Sequence, residues 1–149
     1  MSTALLTARV DRYWFGAPVT AVTEILARPA VTRIPRVAES VVGVAVVRGQ
    51  ALAVLSLRPM VGVPPTEVAL ALRWPTARGV VLVAVDQVES LWVAEHPVPA
   101  ERWADLVPPA MRSWITGGYR FGEEWLWEWP EDLPDRIQEQ MLGGIRHGG

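Results

Sequence analysis

Apolar positions along the chain recur in short runs rich in Val, Ile, Leu and Trp, broken by Gly, Pro and Asp, which is the spacing of β-strands. Ten strands are predicted, at Ala4–Val10, Tyr13–Phe15, Val22–Ala27, Gly43–Arg48, Ala51–Leu55, Val68–Leu72, Val80–Val85, Ser90–Val93, Ile115–Phe121 and Glu124–Trp129. Ten exceed what one small barrel holds. Two proline-rich pauses, 59–67 with Pro64-Pro65 and 96–112 with Pro97, Pro99, Pro108 and Pro109, divide the strands without resembling flexible linkers. The expectation is an all-β single domain, two small barrels sharing one continuous core.

Two helical segments interrupt this pattern. A single turn is expected within Leu55–Val61. A longer helix is expected over Asp132–Leu142, with Pro134 tolerated in its first turn, Gly143 as its stop and a frayed tail over 143–149. Leu133, Ile137 and Met141 fall on one side of it, and so short a helix needs that stripe docked on the barrels.

The segment Gly43–Leu57 joins two apolar runs at Arg48-Gly49. A glycine there supplies the positive φ of a tight strand reversal, whereas the hairpin has no folding need for the arginine. Arg48 is therefore a candidate functional residue. The plain structural alternative is an internal ion pair with Glu24 or Asp86, and Gly43 and Gly49 have an equally plain role in backbone geometry.

Composition narrows the function. The chain of 149 residues is long enough for a sizeable core, and with no cysteine it has neither disulfide nor thiol chemistry. Every one of its 14 basic residues is an arginine, they are scattered, and the net charge is −2, so no basic field exists to hold nucleic acid. No apolar run reaches the roughly 20 residues of a membrane span, and the first residues lack a signal-peptide layout. The expected location is the cytoplasm, without direct membrane insertion.

Candidate chemistry is sparse. His96 precedes a proline and His147 lies in a glycine-rich tail, so neither has the neighbours of a general base or a metal ligand. Glu123, Glu124, Glu128, Glu131 and Asp132 flank a turn and a helix start, where solvation and the helix dipole account for them. No nucleophile elbow, P-loop or dinucleotide fingerprint occurs. The reading is a non-enzyme with no cofactor and no metal. Trp125, Trp127 and Trp129 alternate, which puts all three on one face of a strand. That face either closes the core or leaves part of an aromatic surface as an extra interface.

Taken in order, Val22-Thr23-Glu24-Ile25, Val31-Thr32-Arg33-Ile34-Pro35, Gly43 to Gly49, Leu57-Arg58 and Val85-Asp86-Gln87-Val88 resemble the CheW-like domain of bacterial chemosensory systems, over about Leu5 to Trp129. The resemblance implies a pair of five-stranded SH3-like barrels. It implies an adaptor that binds methyl-accepting chemoreceptors and a CheA-type histidine kinase and is recruited to the inner membrane through receptor arrays. On that resemblance Arg48, Gly49, Glu24 and Ile25 face the receptor, joined by Val85, Asp86 and Val88, while Gly43 and Val44 face the kinase. The chain departs from the family's pattern at Val46-Val47, Ala53 and Ser56. Two other readings stand beside it: a small-molecule-binding β-barrel with a Trp-lined pocket, and a CheW-like paralogue holding a partner other than a kinase.

Overall fold

Strand β1 (Thr3–Val10) pairs on both sides, with β2 (Tyr13–Pro18) across a two-residue turn and with β9 (Gln87–Ala94), distant in sequence. Its pairing to β9 slips between Leu6 and Ala8. Thr7, fully buried there, mends the slip with its hydroxyl, which accepts from the Ser90 N–H at 3.0 Å and donates to the Ser90 carbonyl at 3.0 Å. A buried hydroxyl so matched replaces the missing ladder bonds.

The computed structural model describes residues 3–34 and 40–148, so Pro35 of the Val31–Pro35 segment lies outside the described residues. Two curled sheets form. The first has the order β10-β11-β2-β1-β9, with β10 at Gly117–Phe121 and β11 at Glu124–Glu128. Its two end strands meet through rings: Trp92 of β9 lies edge-on to Tyr119 and Phe121 of β10, at 5.8 and 5.5 Å between centroids. The second has the order β3-β7-β8-β6-β5-β4. Its members are β3 (Glu24–Ala27), β4 (Val31–Thr32), β5 (Val41–Val47), β6 (Gln50–Ser56), β7 (Leu70–Thr76) and β8 (Gly79–Val85). Parallel pairings of β11 with β2 and of β6 with β8 complete each sheet.

The core is continuous across the two sheets, as expected. One cluster joins Ala8, Val10 and Phe15 of the first sheet to Leu55, Leu72, Trp74 and Val83 of the second. Smaller apolar clusters fill the interior of each barrel, around Leu52 and Leu82 in one and around Leu5 and Leu126 in the other.

Four features differ from the sequence expectation. The short strand β4 was not anticipated, because two residues carry no periodicity. The proline-rich stretch from 96 is built into three short 3-10 segments, Ala100–Arg102, Ala104–Leu106 and Pro109–Trp114, that with their connections bring Trp103, Val107, Met111 and Trp114 into the central core. Proline at the start of such a turn carries no penalty, since the N–H it lacks has no partner there anyway. Helix α1 spans Leu133–Gly148 and docks through Leu133 and Ile137, continuing past Gly143 where a stop and a frayed tail were expected. A glycine inside a helix costs about 1 kcal/mol relative to alanine but still supplies its N–H, so it need not end the helix. The turn expected within Leu55–Val61 is confined to Arg58–Val61, since β6 continues to Ser56.

Candidate partner-binding groove

The β5–β6 hairpin turns over two residues, Val47 pairing with Gln50 across Arg48 and Gly49. Both turn residues have positive φ, +49° and +81°, the signature of a type I′ turn, whose twist matches that of the strands it joins. Gly49 has open space around its Cβ position, so the turn conformation alone accounts for it. Arg48 is a different case. L-residues adopt the left-handed region at a cost, and asparagine or glycine is the usual occupant of this position.

The arginine reaches across to the edge strand of the same sheet. Its Nη1 donates to Glu24 Oε2 at 3.0 Å, and its Nη2 pairs with Glu24 Oε1. The hydrogen bonds from Arg48 hold the Glu24 carboxyl below the usual carboxylate range, and those to Glu24 raise the guanidinium. A depressed carboxylate keeps its pair throughout neutral pH and loses it only as pH falls through the lowered value. Of the alternatives open from sequence, the Arg48 partner is Glu24 rather than Asp86.

Glu24 lines a groove of about 260 Å³ between the two barrels. Leu6 of β1 and Leu91 of β9 line it from the first sheet, Thr23 and Ile25 from beside and within β3, and Val19 and Val22 from the segment that crosses between the sheets. Leu91 is 69% exposed and Ile25 45%, large apolar side chains left without internal cover. Leu91 was not among the residues singled out from sequence, because alternation along β9 shows that one face is outward but not that it adjoins β3.

The remaining predicted site residues lie elsewhere. Val85 is 2% exposed within the central core and Val88 packs against that core. Asp86 is engaged internally, its Oδ2 accepting from the Asp11 N–H at 2.6 Å and from Arg58 Nη1 at 2.8 Å. Five residues of extended strand, roughly 17 Å, separate Asp86 from Leu91. None of these three residues, expected beside Glu24 and Ile25, lines this groove. Gly43 is buried, and a Cβ there would sit 2.1 Å from the Thr32 carbonyl oxygen. Its glycine lets β4 lie against β5, so it presents no surface to a partner. Val44 is half-buried and shares its strand face with the exposed Val46.

The three tryptophans divide. Trp127 and Trp129 are buried in the central core, where Trp129 stacks on Phe15 at 4.7 Å and Trp127 tilts against it at 6.2 Å. Trp125 is half-buried, with the Arg120 guanidinium over its ring at 4.6 Å. Two of the three are thus core and Trp125 packs against it, so of the two readings open from sequence the packing is that of a face closing the core: aromatic surface between two barrels is where burial gains most.

The model of the CheW-like domain matches residues 4–126. The chain belongs to the CheW-like domain family. Among solved structures, the scaffolding protein TtCheW from Thermoanaerobacter tengcongensis is similar in fold, with a TM-score of 0.71 at 15% identity, covering 87% of this chain and 85% of that one. No curated protein matches the chain. The fold of a CheW-like domain, two SH3-like barrels, is the one observed. The family match ends within β11, so Trp127, Trp129 and helix α1 lie beyond it. No helix among the described residues is long and apolar enough to cross a membrane.

Proposed function

We propose that this CheW-like protein is a chemosensory adaptor, a scaffold rather than an enzyme, which couples the cytoplasmic tips of methyl-accepting chemoreceptors to a CheA-type histidine kinase. The observation that carries the reading is the apolar groove between the barrels, with Ile25 and Leu91 exposed and Glu24 held at its edge by Arg48. An amphipathic receptor helix laid in such a groove buries its apolar face on Ile25 and Leu91, and the paired charges set its register. Arg48 does not line the groove itself and acts on it through Glu24. The apolar face of β5 that carries Val44 and Val46 is the surface proposed for the kinase, on the opposite hairpin face from the buried Ala45. Recruitment to the membrane follows from the receptor, in a chain that stays in the cytoplasm.

The test is capture of this protein by a receptor cytoplasmic-tip fragment and, separately, by a CheA regulatory domain. Leu91→Asp, Ile25→Asp and Arg48→Glu are expected to weaken receptor capture at least about tenfold, the loss of one well-placed interface residue, with melting unchanged. Val46→Asp is expected to weaken only kinase capture. Full receptor capture by all three groove variants overturns the reading.

A further inference from the structure

A second cavity, of about 600 Å³, opens at the seam of the six-stranded barrel, where the terminal strands β3 and β4 are joined by 28–30. Its floor is Val31, Val42 and Val68, side chains that otherwise belong to the interior cluster of that barrel. Arg28 and Arg33 stand on its rim with Glu67. Core valines thus meet solvent beneath two cations, in a chain whose net charge is negative.

The backbone makes Arg28 unusual. It is one of three non-glycine residues with positive φ among those described, at +46°, held there while its N–H donates to the Ala69 carbonyl at 2.8 Å. The other two likewise make internal contacts: Arg48 pairs with Glu24, and the Asp11 N–H is taken by Asp86. Arg28 and Arg33 form no ion pair with a described residue, Glu67 included. The bond to Ala69 accounts for the backbone conformation of Arg28, whereas the fold makes no ion pair of its charge or of that of Arg33 among the described residues.

We infer that this cavity docks an extended acidic segment of a partner protein, with carboxylates on Arg28 and Arg33 and the intervening apolar side chains on the valine floor. The edge selects an extended peptide: β4 is the terminal strand of its sheet among the described residues, and Val31 of β4 lines the cavity together with the residues on either side of that strand. The charge of the rim selects an acidic one. The inference does not rest on the groove between the barrels, which uses other residues.

The experiment measures fluorescence anisotropy of a labelled octapeptide of alternating valine and glutamate added to the full chain. The same peptide with glutamine for glutamate is the control, and unlabelled hexanoate is the competitor. Arg28→Gly is the informative variant, because glycine accepts the positive φ without strain and so removes the charge without disturbing the turn. The glutamate peptide is expected to bind more tightly than the control, and Arg28→Gly to weaken it about fivefold, the size of one exposed ion pair. Arg28→Gly combined with Arg33→Gln is expected to bring it to the control level, with melting not lowered. Equal binding of the two peptides, or unchanged binding by the double variant, overturns the inference. So does displacement of the peptide by hexanoate at equal concentration, which would make the cavity a site for small acids.

Discussion

Arg48 and Glu24 tie the tip of the β5–β6 hairpin to the edge strand β3 at the lip of the inter-barrel groove, one residue held in a left-handed turn and the other in its carboxylate form. The pair lies between strands near opposite ends of the sheet order, so it also helps close the barrel. Arg48 is 65% exposed in its side chain, and exposed pairs add little to stability. Its backbone conformation, in contrast, is a cost.

Arg48→Asn separates these two effects. Asparagine suits a type I′ turn before glycine, so the relief of the turn offsets the lost pair, and the melting temperature is expected to stay within about 3 °C of the parent or rise. Receptor capture is expected to fall about tenfold, because the register-setting charge is gone. A matched loss of stability and binding in thermal melts and capture assays would show that the arginine serves the fold.

Gly43→Ala is expected to destabilise the protein by about 1–3 kcal/mol, the range for forcing added volume into a packed site. The new methyl meets backbone, the Thr32 carbonyl, which cannot swing aside as a side chain does. Chemical denaturation measures the loss, and unchanged stability would remove the steric role of this glycine.

Trp74→Phe is expected to cost more than Trp129→Phe. Both rings are fully buried in the central core, but Trp74 Nε1 donates to the Glu131 carbonyl at 2.8 Å while Trp129 Nε1 has no partner among the described residues. Removing the first donor leaves a carbonyl unpaired, at about 1–3 kcal/mol, whereas removing the second relieves an unmet one. Paired denaturation curves of the two variants decide it.

Glu128 supplies a pH test. Burial raises its pKa, while the Tyr119 hydroxyl, donating to Oε1 at 3.2 Å, partly counters the shift. A carboxyl whose folded pKa is raised contributes stability that is full below its unfolded pKa and is lost as pH rises through the folded one. Glu128→Gln keeps an acceptor for Tyr119 and never ionises. It is expected to melt above the parent at pH 7, with the difference vanishing near pH 4. A parent that is the more stable at pH 7 would contradict the sign.

Much of the fold was legible along the chain. The strand cores of β1, β5, β6 and β8 were readable because each is an apolar run bounded by turn residues, and the Arg48-Gly49 reversal because glycine there supplies a positive φ. The stretch 96–112 was not readable: its prolines mark breaks in periodicity, while the burial of Trp103 and Trp114 depends on surfaces far away in sequence. Of the residues singled out along the chain, Glu24 and Ile25 line the inter-barrel groove, Arg48 reaches it through Glu24, and Val85, Asp86 and Val88 lie away from it, while Leu91 joins the groove from a strand whose pattern did not single it out.

Local chemistry indicated, from the sequence alone, an all-β chain with two barrels, the absence of the familiar catalytic motifs, and a turn arginine that the hairpin itself does not require. Tertiary structure decided which carboxylate that arginine holds, which apolar residues are left uncovered and which tryptophans are core. The physical reason is that alternation assigns a side chain to one of two faces of a strand, but only the packing of the two sheets says whether that face meets protein or water.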